Sequence, residues 1–520
     1  MGVLQLFVKK MKVEEKLKKL ILSFLFLILL FTRLSYLNGN PMVDEPTWMH
    51  RSENFVRALL TLDFKQTYQS AHPGIATLYF AGISNFIFFK APQKIGLLSS
   101  TDKIFISQLQ LISFRIGLVF INMLLVALIY LTIKHRIKKP FWAISTLLFL
   151  TFEPFIIRFS KITHVDAVFS LSTFLALLFF YIFLQTRNKR DFLTSCFFSA
   201  LSFFTKTPSL VIVPLIIVGV FFSLRTSLRK KINLILMYLA ITFLIGYIAW
   251  PVLWSNPLYA VKDILLRNLT AILRPHGVSL TQKADFSPDH FFYARTLWNF
   301  ITPQLLTFSF LGIILGIHAL IKKRGWSLQI AFSAFVVTFI LFMSFGGKKG
   351  ERYILPTVVS MTILGGWSLQ KIYTFSKKIA YVLLLILGSV YVVNTISLHP
   401  FYFIYYNPWV NIKDPKVYSR IGLGEGLELA AKYLNQKKSA EKLVVASWYD
   451  SSFAIYFKGK TIDIRRLNNS SVDYAVVYGN MYGRKKLSPA SKVIEKFKNK
   501  KLEKIIKIKG VPYVFIYKLK

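Results

Sequence analysis

Two acidic residues, Asp44 and Glu45, stand side by side just after the first long apolar run of the chain. His72 follows in the sequence AHPG, and a further acid, Asp166, follows in THVDA. A carboxylate can serve as a general base or hold a cation. These four residues could therefore support acid–base chemistry, or bind a divalent metal ion if the fold brings them together.

A cationic group with an aromatic neighbour, KKGERY, contains Lys348, Lys349, Arg352 and Tyr353. The topology derived below predicts that this group lies on the outer side of a membrane, where basic clusters are unusual. An anionic partner such as a lipid phosphate would explain the exception, because arginine can bind phosphate through two hydrogen bonds and lysine supplies a point charge.

Four more residues could line a substrate site: His164 in THVDA, Lys206 in FFTKTPSL, and Trp250 and Trp254 in WPVLW. Each also has an ordinary structural explanation. The tryptophans could be interfacial aromatics, and the lysine could extend its amine to the membrane surface.

The elements that must position these residues are long apolar segments. The chain has 520 residues, of which 54% are hydrophobic and 16% aromatic, so the composition predicts a polytopic membrane protein. The net charge of +43 comes from basic residues scattered between apolar segments, which argues against nucleic-acid binding. Cys196 is the one cysteine, so neither an intramolecular disulfide nor a cysteine-based zinc site can form.

Basic clusters predict the orientation of the apolar segments. With the N-terminus in the cytoplasm, the clusters at 134–139, 187–190, 225–231, 322–324 and 377–378 all fall inside only if the short segment 74–89 does not cross the membrane. We therefore predict an interfacial or re-entrant helix at 74–89. The remaining eleven of twelve apolar segments are expected to span: 20–38, 109–133, 140–157, 165–185, 191–205, 208–224, 232–253, 301–321, 326–345, 353–370 and 379–397.

Three regions follow from this pattern. Residues 1–19 form a basic cytoplasmic N-terminus, and residues 20–399 form an all-α membrane domain with outer loops at 39–108 and 254–300. Residues 400–520 are expected to form a small α/β domain outside the membrane. There, VYSRIGLGEGLELAAKYLNQ predicts a helix, and LVVASWY, DYAVVYG and PYVFIYKL predict strands.

Carboxylates, cations and aromatics thus gather on one face of the predicted membrane domain. The set suits group transfer from a phospholipid-like donor, with a carboxylate accepting the proton of an acceptor hydroxyl and cations stabilising the departing phosphate.

In this order, the motifs VDEP, AHPG, THVDA, FFTKTPSL, WPVLWSNP and ERYILP resemble those of the C-type glycosyltransferase superfamily, above all the protein O-mannosyltransferases and aminoarabinose transferases. YYNP at 405–408 and GEGLELAAKYLN at 424–435 extend the likeness to roughly 20–440. The resemblance implies the C-type glycosyltransferase fold. It also implies an inverting transfer of a sugar, mannose-like, from a polyprenyl phosphate to a hydroxyl on protein or lipid at the outer membrane face.

The resemblance also implies roles for individual residues. Asp44 would be the base, supported by Glu45, and Asp166 would complete the catalytic set. The donor phosphate would be held by Lys348, Lys349, Arg352 and Tyr353, and the substrate by His72, His164, Lys206, Trp250 and Trp254. Two departures stand out: Gly74 replaces the second proline of a His-Pro-Pro motif, and the 254–300 loop is too short for the inserted domain of eukaryotic mannosyltransferases.

Two alternatives stay open at this point. An oligosaccharyltransferase-like enzyme would move a whole glycan to asparagine, and SWYD at 447–450 faintly resembles the tryptophan-rich motif of that family. A lipid or sugar transporter would place charges near mid-span and show internal repeats, and the sequence has neither pattern. The sequence names no particular sugar or acceptor, and it leaves a requirement for a divalent cation open.

Overall fold

The computed structural model describes residues 2–274, 289–321, 326–410, 422–466, 472–483, 495–497 and 499–520. The basic cluster at 322–324, part of the predicted 254–300 loop and the start of the predicted helix at 417–436 lie outside these ranges.

Helices make up most of the chain. In the membrane domain they are α1 (Gly2–Leu34), α2 (Glu45–Leu60), α3 (Ile75–Asn85), α4 (Ala91–Lys94), α5 (Lys103–His135), α6 (Pro140–Phe152), α7 (Pro154–Ser160), α8 (Asp166–Thr186), α9 (Lys189–Phe203), α10 (Ile212–Ser223), α11 (Leu228–Ala249), α12 (Val252–Ser255), α13 (Pro257–Leu273), α14 (Phe292–Phe300), α15 (Pro303–Ile321), α16 (Leu328–Phe345), α17 (Leu355–Phe375) and α18 (Lys377–Leu398).

Among the described residues, seven helices are long and apolar enough to cross a bilayer, or eight if the bent pair α6–α7 counts as one span. The chain is therefore a multi-pass membrane protein, while the total of about eleven spans stays a prediction. The helix over Ile75–Lys94 passes the same test of length and composition, although we predicted an interfacial or re-entrant helix there. The difference arises because a π-helical turn at Phe86–Lys90 joins α3 to α4 and lengthens the helix.

Helix α8 lies in the centre of the membrane domain. It is buried along almost its whole length, because its sequence is apolar on every face. Its first residue is Asp166, so the buried helix delivers a carboxylate to one end of the bundle.

Two breaks shape the bundle around α8. The chain bends by 68° between α6 and α7, where Pro154 follows Glu153. A second break follows α9, where Lys206 has an extended backbone and a short 3-10 helix, Thr207–Val211, has a proline as its second residue.

The C-terminal domain is a five-stranded sheet with small helices, as the strand patterns predict. Its strands β1 (Val444–Ser447), β2 (Lys460–Asp463), β3 (Tyr474–Tyr478), β4 (Lys501–Ile508) and β5 (Val511–Lys518) lie in the order β2-β1-β3-β5-β4. The first three are parallel, with Val445 opposite Tyr474, and β5 is antiparallel to β3 and β4. The described helices are α19 (Leu427–Asn435), α20 (Asp450–Ala454) and α21 (Asn480–Gly483).

Helix α19 is shorter than the predicted helix at 417–436. Residues 422–426 form a loop in which Gly422, Gly424 and Gly426 adopt positive φ angles of +90°, +132° and +84°. An α-helix cannot contain such residues, so the helix begins after the last glycine.

Candidate active site

Asp44 lies at the N-terminus of α2 but does not cap its own helix through its side chain. Its carboxylate instead faces Arg352, with 2.5 Å between Asp44 Oδ2 and Arg352 Nη1. Partial burial alone would raise the pKa of Asp44, but the guanidinium of Arg352 outweighs it and holds the pKa below its usual range. Asp44 is therefore an anion at neutral pH, and its side chain is 43% exposed.

Asp166 lies on the other side of Arg352 and is almost fully buried. Its Oδ1 is 2.5 Å from Lys206 Nζ, and its Oδ2 is 2.9 Å from His164 Nδ1 and 3.7 Å from Arg352 Nε. Arg352 thus lies between two carboxylates, one open to solvent and one enclosed.

The ring of Tyr353 packs against the charged groups of Lys206 and Arg352. The ammonium of Lys206 is 4.4 Å from the centre of its ring, and the guanidinium of Arg352 is 5.6 Å away. Such cation–π contacts help to retain two positive charges in a partly dry site.

A cavity of about 530 Å³ opens above this cluster. Six of its lining side chains are cationic, whereas Asp44 is the one carboxylate among them. The cavity is lined by Asp44, Thr47, Trp48, Arg51, Ser70, Ala71, His72, His164, Val165, Lys206, Arg267, Asn268, Thr270, Ala271, Arg274, Lys348, Arg352 and Tyr353. Its size suits a small-molecule group, and its charge suits an anion.

His72 reaches the cavity from the end of the predicted outer loop. Burial, followed by the charges of Lys206 and Lys348, lowers its pKa to about 3, so the imidazole is neutral at physiological pH. Its Nδ1 is buried without a hydrogen-bond partner among the described residues. A neutral imidazole at this position can donate or accept one hydrogen bond with a bound substrate.

The backbone conformation of Gly74 explains why this chain has glycine where the His-Pro-Pro motif has its second proline. Its φ is +68°, a left-handed conformation that proline, with φ fixed near −65°, cannot adopt. A Cβ at this position would lie 2.5 Å from Cζ3 of Trp48, so glycine also makes room for that ring. The Trp48 ring in turn packs edge-on against His164, with 5.7 Å between ring centres.

Glu45 does not face the cavity. It is fully buried and forms a two-point ion pair with Arg115, at 2.7 Å and 2.6 Å. It also accepts hydrogen bonds from the backbone N–H groups of Met42 and Thr163, at 3.1 Å and 2.7 Å. Glu45 therefore anchors the start of α2, and its supporting role in catalysis stays a prediction.

Besides Glu45, three predicted site residues lie away from the cavity. Lys349 donates to the carbonyls of Met343 and Ser344 near the C-terminal end of α16. Trp250 is buried against Tyr68, and Trp254 donates to the Tyr247 carbonyl on the exterior.

The four residues considered for a metal site do not converge. Within the ranges that the structure describes, no group of three His, Cys, Asp or Glu side chains is arranged to hold a metal ion. Glu45 is committed to Arg115, and the oxygens of Asp166 face Lys206 and His164. We therefore derive no step through a metal ion from this arrangement.

The cavity also contains three arginines that sequence reasoning missed. Arg51 lies two turns after Asp44 on α2, and its guanidinium stacks on Trp48 at 4.8 Å. Arg267 and Arg274 come from α13 and the residue that follows it. Helical spacing offered the signal, since residues seven apart share one face of a helix.

Comparisons with known proteins bear on the family and the fold. The family model described as dolichyl-phosphate-mannose-protein mannosyltransferase matches residues 98–253, less than a third of the chain. That range contains Asp166, Lys206 and Trp250 but neither Asp44 nor Arg352. Among curated proteins, none matches the chain.

Solved structures match over almost the full length. ArnT from Cupriavidus metallidurans, in the apo state, is 12% identical with a TM-score of 0.53, covering 97% of this chain and 98% of its own. The oligosaccharyltransferase AglB from Archaeoglobus fulgidus, in complex with an inhibitory peptide and a dolichol-phosphate, is 14% identical with a TM-score of 0.51. That match covers 92% of this chain and 71% of AglB.

The chain is a multi-pass membrane protein that shares the architecture of ArnT and AglB. The likeness to the C-type glycosyltransferase superfamily, predicted from the motifs, is confirmed by the mannosyltransferase family model and by these folds.

Proposed function

We propose that this protein is a membrane glycosyltransferase that moves a sugar from a polyprenyl-phosphate donor to a hydroxyl group on a protein or lipid. The reaction takes place at the outer membrane face and inverts the anomeric carbon. The observation that carries the proposal is the position of Arg352, which lies between Asp44 and Asp166 at a cavity lined mainly by cations.

The solvent exposure of the two carboxylates favours Asp44 as the catalytic base. The Asp44 side chain is 43% exposed and lies on the cavity wall, whereas the Asp166 side chain is 1% exposed and already neutralised by Lys206. An acceptor hydroxyl can approach the first carboxylate and not the second. Asp166 keeps Arg352 in place from behind.

Binding of the donor changes the partners of Arg352. A donor phosphate held by Lys348 and Arg352 competes with Asp44 for the guanidinium. Asp44, relieved of its partner, becomes more basic, because the charge that lowers its pKa has moved to the phosphate. The donor therefore prepares the base for its own reaction.

The transfer step forms one bond to the anomeric carbon and breaks another. The acceptor O–H gives its proton to an Asp44 oxygen while the acceptor oxygen forms a bond to the anomeric carbon. The bond from that carbon to the phosphate oxygen breaks, and the phosphate leaves with the electron pair. Lys348 and Arg352 stabilise the charge that develops on the departing oxygen.

An apolar cavity of about 170 Å³ suits the lipid chain of the donor. Its wall includes Phe204 and Ser209, two residues before and three residues after Lys206 of the charged cavity, together with side chains of α9, α10 and α11. A lipid tail could lie there while its phosphate reaches the cations.

Mannose is our first choice of sugar because the matching family is described by dolichyl-phosphate-mannose. A protein acceptor is supported by the peptide in the AglB complex, at the level of fold alone.

The test uses membranes that contain the protein, a radiolabelled polyprenyl-phosphate mannose and the Asp44→Asn variant. Wild type is expected to transfer label to protein or lipid, and Asp44→Asn to lose about 10²–10⁴-fold of the rate. Asp63→Asn is the matched control, since Asp63 is exposed in the same loop region and outside the cavity. Wild-type activity in Asp44→Asn would overturn the assignment of the base.

An oligosaccharyltransferase-like reaction is the second candidate, and one observation favours it. SWYD at 447–450 runs from the end of β1 into α20, and Ser452, two residues further on, donates a hydrogen bond to the Met42 carbonyl at 3.5 Å. The motif therefore lies close to the base. Transfer of a preformed glycan to asparagine, with no transfer of single sugars, would select this candidate, whereas transport without transfer would reject both.

A further inference from the structure

The segment that delivers Asp44 to the cavity has no regular secondary structure. Residues 36–43, which we call the delivery segment, link α1 to α2. A segment without a helix or strand ladder must have its polar groups satisfied from elsewhere. The source of those contacts therefore decides where Asp44 lies.

The C-terminal domain supplies many of them. Glu428, at the start of α19 and 1% exposed, accepts a hydrogen bond from the backbone N–H of Asn40 at 2.8 Å and another from the Tyr36 hydroxyl. The Tyr456 hydroxyl donates to the Asn38 carbonyl at 2.5 Å.

The glycine loop at 422–426 supplies the contact nearest to the base. The N–H of Val43, directly before Asp44, donates to the Leu423 carbonyl at 2.8 Å. A Cβ on Gly424 would lie 2.3 Å from the Pro41 carbonyl oxygen, so only glycine permits this approach. The glycine loop and the delivery segment are therefore in direct contact through their backbones.

The membrane domain holds the same segment from the other side. Arg115, in α5, donates to the carbonyls of Leu37, Gly39 and Asn40 at 2.9 Å, 2.6 Å and 3.1 Å. The delivery segment is clamped between a buried arginine of the membrane domain and a buried glutamate of the outer domain.

We propose that the C-terminal domain positions the catalytic carboxylate, with Glu428 as its main positioning residue and the 422–426 loop as its second contact. The proposal rests on the proposed function of Asp44 and deepens it. Glu428 touches no substrate. It acts through Asn40 and Tyr36 by fixing the distance between Asp44 and the cavity.

Kinetics give the first readout. Glu428→Gln keeps an acceptor for Tyr36 but puts an amide where Asn40 donates, and Glu428→Ala removes both contacts. We expect kcat to fall about tenfold in the first variant and about a hundredfold in the second, with donor KM changed less than about twofold, because misplacement of a base affects the chemical step. Glu503→Gln is the matched control: Glu503 accepts from the Tyr433 hydroxyl at 2.8 Å in the same domain, far along the chain from the delivery segment.

Thiol labelling gives a second readout that needs no activity. Cys196 is fully buried, so Asp44→Cys introduces the one accessible thiol. A polar maleimide should react at least about threefold faster at this thiol when Glu428→Gln is added, and at an unchanged rate when Glu503→Gln is added, because a released segment exposes position 44 more often.

The outcomes separate the two proposals. Unchanged kcat in both Glu428 variants, with Asp44→Asn inactive, would overturn the positioning role and leave the transferase intact. Absence of transfer in wild type would count against the proposed function, and labelling would still decide the positioning role. Equal labelling rates with and without Glu428→Gln would overturn it.

Discussion

Replacing Gly74 by alanine tests how the loop around His72 is built. The left-handed backbone of Gly74 costs an alanine about 1–2 kcal/mol. The new Cβ would also lie 2.5 Å and 2.9 Å from two ring carbons of Trp48, and such overpacking costs about 1–3 kcal/mol more. We expect Gly74→Ala to lower the free energy of unfolding by about 2–5 kcal/mol.

Gly96 provides a matched control within the same predicted outer loop. Its φ is +78°, and no atom lies within 4 Å of the Cβ that an alanine would add. Gly96→Ala should therefore lose only the backbone part, about 1–2 kcal/mol. The difference between the two variants isolates the contact with Trp48.

The assay is unfolding of the purified protein in mixed detergent micelles, combined with transfer activity. Displacement of Trp48 also disturbs His164 and the cavity wall, so Gly74→Ala should lose activity while Gly96→Ala retains it. Adding Trp48→Leu should restore part of the stability of Gly74→Ala by making room. Equal losses of stability in the two glycine variants would refute this reasoning.

Further predictions concern charge. Arg115→Met should lower the free energy of unfolding by about 3–5 kcal/mol because it strands a buried carboxylate, and adding Glu45→Gln should recover part of the loss in the same unfolding assay. Lys348→Met should raise donor KM in steady-state kinetics, whereas Lys349→Met should not, since that amine binds helix-terminal carbonyls. The pKa of His72 is about 3 when folded and 6.5 otherwise, so the unfolded state binds more protons between these values. Stability should therefore fall as pH drops from 6.5, and His72→Gln should reduce that slope in a pH series of unfolding measurements.

Much of the architecture follows from the sequence because apolar length and strand patterning are local signals. The predicted apolar segment 165–185 corresponds to α8, and the predicted strand PYVFIYKL corresponds to β5. Strands β2 and β4 were not predicted, because β2 has only four residues of mixed polarity and β4 is a lysine-rich run with little alternation. Likewise the glycine loop at 422–426 interrupted a pattern with helical periodicity.

The site was predicted in part for a similar reason. Asp44, Asp166 and Arg352 drew attention because charges are unusual beside apolar segments, and the fold brings all three together. Residues adjacent in sequence can nevertheless have side chains in different places: Lys348 lines the cavity, whereas Lys349 donates a hydrogen bond to a carbonyl of α16. The spacing of Arg267 and Arg274 indicates a shared helix face, but no local pattern encodes that this face of α13 meets the cavity.

The length of α5 sets a scale for the whole molecule. A helix of 33 residues is about 50 Å long, whereas the apolar core of a bilayer is about 30 Å thick. Its Lys134–His135 end suits one interface, so about 20 Å remains beyond the other, where the Lys103 amine binds the Gly459 carbonyl of the C-terminal domain. Arg115 lies about 18 Å below Lys103 along this helix, close to the membrane boundary. In the proposed reaction, the length of α5 would therefore fix how far above the lipid an acceptor hydroxyl lies when it reaches Asp44.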